Sequence, residues 1–163
     1  MKIKIIDLDG CIADDRWRRQ LISAAPAEGR ASPGWVNRFH AYHLAAERDS
    51  PTNLHEVHEW DGELVICTGR PVAYAEMTRR WLTRMGIRPL HVLHRNNHDH
   101  RPSHVVKRAQ VGWLLAPQLG YDVRRSDLHE AIDDLTEVVK MYQDIFSIPA
   151  RLVRIGDEEH ADG

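Results

Sequence analysis

Five short apolar runs, each followed by a longer amphipathic stretch, leave few folds open to this chain. The runs are residues 3–6, 64–67, 90–93, 131–132 with their flanks, and 151–155. Their length and flanking turn residues suit buried strands. Between the later runs, apolar residues recur at three- and four-residue spacing, which predicts helices over 71–85, 102–119 and 136–146. In the first, Val72, Ala75, Met77, Trp81, Leu82 and Met85 share one side, and Gly86 supplies the stop. Strands alternating with helices predict an α/β three-layer sandwich, its five-stranded parallel sheet covered on both faces. Sheets of this kind bind ligands outside the carboxyl ends of their strands.

The 163 residues suit one domain, expected to span 1–157, with 158–163 a polar tail. Residues 11–60 interrupt the alternation after the first strand and read as a small helical lid. Within it, helices are expected at about 14–24 and 35–47, with a Pro- and Gly-bearing turn at 26–34. The 22 Lys and Arg residues nearly balance 24 Asp and Glu, for a net charge of −2. That balance argues against a generally basic coat for nucleic acid but permits a local basic groove. Arg16, Arg18 and Arg19 form one cluster, and Arg79, Arg80 and Arg84 another. Cys11 and Cys67 form no disulfide framework and read as small buried fillers. The first apolar run breaks at Asp7 and Asp9, and nothing approaches the roughly 20 apolar residues of a membrane span. A soluble, cytoplasmic protein with no membrane partner is expected.

The residues at the strand ends carry the chemistry. Asp7-Leu8-Asp9-Gly10 follows the first strand, and acids two apart share a face of an extended segment. Thr68-Gly69-Arg70-Pro71 follows the second, offering a hydroxyl and backbone N–H groups at a sharp turn. Lys107 lies near the start of the helix after the third, and Asp133-Asp134 follows the fourth. Carboxylates gathered on one rim repel one another unless a cation or proton joins them. A hard cation with oxygen ligands relieves this, and magnesium commonly takes one or two carboxylates, waters and phosphate oxygens. The histidines at 91, 94, 98, 100 and 104 fit no compact zinc set. Trp35, Phe39 and Tyr42, spaced by four and three, share a helix face and read as packing.

The order DxDG, TGR, Lys, DD resembles the four motifs of the haloacid dehalogenase superfamily. The resemblance extends, over about residues 1–157, to the phosphatase domain of phage polynucleotide kinase-phosphatases. It is carried by the segment from His94 to Lys107 and by the one from Ala131 to Met141. No GxxxxGK[ST] phosphate loop of a companion kinase is present. Two positions depart from the narrower pattern: Ser103 stands where an acid is usual, and Leu135 where arginine is common.

The resemblance implies a magnesium-dependent phosphomonoesterase. Asp7 would be the nucleophile that forms a phosphoaspartate. Asp9 would serve as general acid and base and would give its backbone carbonyl to the metal. Thr68 and Lys107 would hold the phosphoryl oxygens. Asp7, Asp133 and Asp134 would complete the magnesium shell, with the direct ligand of the last pair left open. Gly69, Arg70 and Arg18, or Arg16 beside it, would face the substrate. The implied substrate is a nucleic-acid 3′-phosphate end, and the stand-alone format keeps a free deoxynucleoside monophosphate as the alternative. A non-enzymatic phosphoacceptor of the receiver type would place its acidic pair first and its phosphorylated Asp later, the reverse of the order here.

Overall fold

The computed structural model describes residues 1–23 and 29–160. Its centre is a parallel sheet of β1 (Ile3–Ile6), β4 (Glu63–Pro71), β5 (His91–Arg95), β6 (Leu128–Asp133) and β7 (Ala150–Leu152). Their spatial order is β5-β4-β1-β6-β7. Side chains of neighbouring residues on β1 go to opposite faces. Ile3 and Ile5 join a core with Val111, Leu114, Val138 and Tyr142 from α4 (Ser103–Leu114) and α5 (Thr136–Phe146). Ile6 joins the other core with Ile66, Ile132, Trp81 and Leu82, the last two from α3 (Ala75–Arg84). Full burial of β1 on both faces explains why three of its four residues are isoleucine; the fourth, Lys4, is buried against Glu56. The expected three-layer α/β sandwich is thus observed.

Element ends differ from the sequence expectation where prolines and tertiary bonds intervene. The helix expected over 102–119 stops at Leu114, and Pro117 starts a separate 3-10 turn, since its ring offers no N–H to continue the ladder. The helix expected over 71–85 begins as a 3-10 turn at Val72–Tyr74. The last strand is shorter than 151–155, although Val153 N–H still donates to Asp133 O at 2.9 Å.

The lid departs further. Residues 14–24 were expected to form an α-helix; Arg16–Leu21 form a 3-10 helix instead, and residues 24–28 lie outside the described residues, taking part of the 26–34 turn with them. Tertiary anchors account for this helix: Trp17 Nε1 and Arg18 Nε both donate to Asp49. The second lid helix is α1 (Pro33–Ala45), with Ser32 Oγ accepting from Trp35 N–H as its cap. Two two-residue strands with no clear sequence signal, β2 (Ala13–Asp14) and β3 (Ser50–Pro51), pair antiparallel and pinch the lid's entry and exit together. The short α2 (His55–His58) leads back to the sheet. Asn53, at φ +52, donates to Cys11 O and Arg154 O and accepts from Glu158 N–H. That last bond orders part of the expected polar tail: α6 spans Asp157–His160, and residues 161–163 lie outside the described residues. No helix among the described residues is long and apolar enough to cross a membrane.

Candidate active site

The carboxyl ends of β1 and β6 lie side by side, because Ile6 pairs with Ile132. Asp7 and Asp133 follow directly, and both are buried. Lys107, one turn into α4, reaches between them: its Nζ stands 2.7 Å from Asp7 Oδ1 and 2.5 Å from Asp133 Oδ2. Asp133 Oδ1 accepts from Leu135 N–H, which fixes the carboxylate plane. Asp134 closes the group, and one oxygen from each of Asp7, Asp133 and Asp134 lies within 4.8 Å of the others. Gly10 makes room for it. At φ +83 the chain turns away, and a Cβ there would stand 2.2 Å from Asp134 Oδ2.

Three carboxylates face one ammonium, an unbalanced set. Burial, joined by the charges of Asp133 and Asp134, raises the Asp7 carboxyl well above its ordinary value despite Lys107. Burial and Asp133 raise Asp134 as well. Lys107 moves upward: burial works against its charge, but Asp133 and Asp7 outweigh it. The donor set suits a small hard cation. Around a Mg–O distance of about 2.1 Å, octahedral ligand oxygens lie about 3.0 to 4.2 Å apart, inside the span of the triad.

Asp9, the second acid of the DxDG segment, keeps its side chain out of that triad. Arg18 Nη2 and Arg70 Nη2 each donate to Asp9 Oδ1 at 2.6 Å, and Arg70 Nε donates to Asp9 Oδ2 at 3.1 Å. Burial alone would raise this carboxyl, but Arg70 first and Arg18 next hold it far below the usual carboxylate range. Both arginines are fully buried. Arg18 is also bound by Asp49, through Nε at 2.8 Å and Nη2 at 2.7 Å, and Arg70 Nη1 donates to Thr78. Arg18 and Arg70, two of the residues expected to face substrate, are therefore packed around Asp9, while Arg16 points outward to Asp14. Asp49 was missed by sequence reading. It sits thirty-one residues beyond Arg18, with no motif around it.

Thr68 lies two residues past Ile66, the partner of Ile6, and is fully buried. Its hydroxyl accepts from Arg70 N–H at 3.1 Å. The strand continues irregularly through Gly69 to Pro71 rather than turning at once into a helix. Gln110, one turn beyond Lys107 and also unforeseen, donates to Thr68 O and Leu93 O. It thereby pins α4 across two strand ends. Gly69 O accepts from Arg95 Nε, tying this edge to the loop ahead of α4.

No protein-family model and no curated protein matches the chain. Solved structures do. Two structures of a Pnkp1/Rnl/Hen1 complex, one described as an RNA repair complex, align over 96% of this chain. They do so with TM-scores of 0.63 and 0.62 at 21% and 22% identity. The likeness is one of fold: the same α/β sandwich around a parallel sheet. The chain spans 43% and 47% of those two partners' lengths. A hydrolase from Streptococcus pneumoniae TIGR4 matches end to end, covering 99% of this chain and 98% of its own, with a TM-score of 0.56 at 11% identity.

Proposed function

We propose that the protein is a magnesium-dependent phosphomonoesterase that works through a phosphoaspartate on Asp7, with nucleic-acid 3′-phosphate ends as its substrate class. The observation that carries this reading is the Lys107 ammonium seated between Asp7 and Asp133, with Asp134 completing a buried triad at the strand ends. A bound divalent ion would neutralise the triad and screen the incoming phosphoryl charge. Asp7, Asp133 and Asp134 are the residues to hold it, with Asp9 contributing its backbone carbonyl.

Asp7 Oδ then attacks phosphorus: its O–P bond forms as the bond to the leaving oxygen breaks, and that oxygen takes a proton from Asp9. Water next attacks the aspartyl phosphate, gives its proton to Asp9, and frees both phosphate and Asp7. The ionised state that Arg70 and Arg18 impose on Asp9 suits the second, basic step. Proton donation in the first step requires one of those arginine contacts to be given up, and a substrate phosphate oxygen is the natural recipient. Thr68 and Lys107 would hold equatorial phosphoryl oxygens.

The nucleic-acid end is supported by the motif resemblance and by structural neighbours that include an RNA repair complex. The slightly acidic net charge of −2 keeps a free deoxynucleoside monophosphate as the alternative. The deciding assay measures phosphate release, with magnesium, from a 3′-phosphorylated oligonucleotide and from mononucleotides. Turnover of the oligonucleotide alone supports the reading. Equal or faster turnover of mononucleotides replaces it with a nucleotidase, and no release from any phosphomonoester overturns it.

A further inference from the structure

Beside Gly69, the lid and the loop ahead of α4 enclose a cleft of about 420 Å³, within the range of small-ligand sites. Arg30, Phe39 and His43 line it from the lid, with Arg95 at the end of β5 and Asp99 and Arg101 of the loop opposite. Three guanidiniums against one carboxylate make it electropositive. Arg95 is committed to bracing, since it donates to Gly69 O, Asp99 O and Arg101 O. Arg30 and Arg101 are exposed. Arg101 is aligned by a two-toothed contact with Asp99, and Arg30 stands 5.9 Å over the Trp35 ring.

His43 is the anomaly of this cleft. Only 5% of it is exposed, yet its Nδ1 has no hydrogen-bond partner. Its ring is stacked on Tyr74 at 4.6 Å and set edge-on to Phe39 at 4.5 Å, so the nitrogen is held in a fixed direction. Burial keeps the ring neutral at ordinary pH. A buried polar atom without a partner is rare and calls for a reason. The nitrogen has no exposed surface of its own, so a ligand atom supplies the partner by entering between His43 and Phe39, both of which line the cleft.

We propose that this cleft is a second anion subsite. It takes a phosphate one nucleotide unit from the scissile one on Arg30 and Arg101, while His43 Nδ1 bonds a polar edge of that unit packed against Phe39. The inference rests on the phosphomonoesterase reading above. Two sources carry the same chemistry: an internucleotide diester in an oligonucleotide, and the second monoester of a nucleoside bisphosphate.

Calorimetric binding separates this proposal from the assigned activity. The Asp7→Asn protein, with magnesium, is titrated with a nucleoside 3′-monophosphate, a nucleoside 3′,5′-bisphosphate and a 3′-phosphorylated dinucleotide. A second phosphate is expected to tighten binding about tenfold, the size of one charge-assisted hydrogen bond at a wet site. Adding Arg30→Ala, a change at an exposed side chain, should remove most of that gain. His43→Phe should weaken every nucleotide severalfold while sparing inorganic phosphate, and His43→Asn should restore part of the loss. Tighter binding of the dinucleotide alone assigns the subsite to a diester, and of the bisphosphate alone to a free nucleotide. Equal affinity for all three ligands, or no loss with Arg30→Ala, overturns the subsite. Failure of the phosphatase reading looks different: wild-type protein releases no phosphate, whatever these ligands do.

Discussion

Two charged clusters are built on the same central strands and follow opposite rules. Lys4 of β1 stands 2.5 Å from Glu56 Oε2 and 3.7 Å from Glu130 Oε2, and Arg151 of β7 bonds both glutamates. Two cations meet two anions. Just past the end of β1, Asp7 joins Asp133 and Asp134 around Lys107, where three acids meet one ammonium. The first cluster is complete in itself and ties the lid's return through α2 to the sheet. The second is left short of positive charge, at the strand ends where parallel sheets present ligand sites. Balance marks a structural network here; imbalance, preserved by a glycine that a side chain would ruin, marks a site built for something that arrives.

The largest test of that contrast is Asp7→Asn. Catalysis is expected to fall by roughly 10⁴-fold or more, as with other lost nucleophiles, while circular dichroism stays native-like. Near-normal hydrolysis would dismiss Asp7 as nucleophile. Glu56→Ala should do the reverse, lowering unfolding stability by about 3 kcal/mol because Lys4 loses its close partner in a buried position. Its kcat should be unchanged; a large fall in kcat at full stability would join the two clusters functionally.

Magnesium should raise the melting temperature of the wild type, by about 2.7 kcal/mol of stability at a hundredfold excess over Kd. The same addition should do little to Asp133→Asn, and an equal shift in both proteins would move the metal elsewhere. The smallest effect is on acid stability. Burial would raise Glu56, but bonds from Arg151 and Lys4 lower it from 4.5 to about 2. Its contribution is thus complete above pH 4.5 and is lost as pH falls toward 2. Unfolding measured across that window should show a shallower acid decline in Glu56→Gln than in wild type. Parallel curves would remove Glu56 as a stabilising acid.

Most of the sheet could be read in advance, for a reason visible in β1. A strand buried on both faces is apolar except where a buried charge is paired, as Lys4 is with Glu56, and the acids that follow it stand at its exit. The lid was less legible. Residues 16–21 carry no strong helix pattern of their own, and their 3-10 geometry goes with Trp17 and Arg18 reaching Asp49. The two-residue ladder of β2 and β3 is too short to leave any periodicity. Arg18 and Arg70 were readable as site arginines but not as partners of Asp9, since nothing in the local sequence orients a guanidinium.

By itself, the sequence determined the order of strands and helices and the placing of Asp7, Thr68, Lys107 and Asp133 at the sheet's carboxyl edge. These follow from local periodicity and from how a strand ends. Only the tertiary structure decided which charges meet: that Asp9 is gripped by two buried arginines, that Asp49 shares one of them, and that His43 keeps an unpaired nitrogen in a basic cleft. Such pairings join residues up to sixty-one positions apart. Their energies depend on burial and direction, which exist only once the chain has closed on itself.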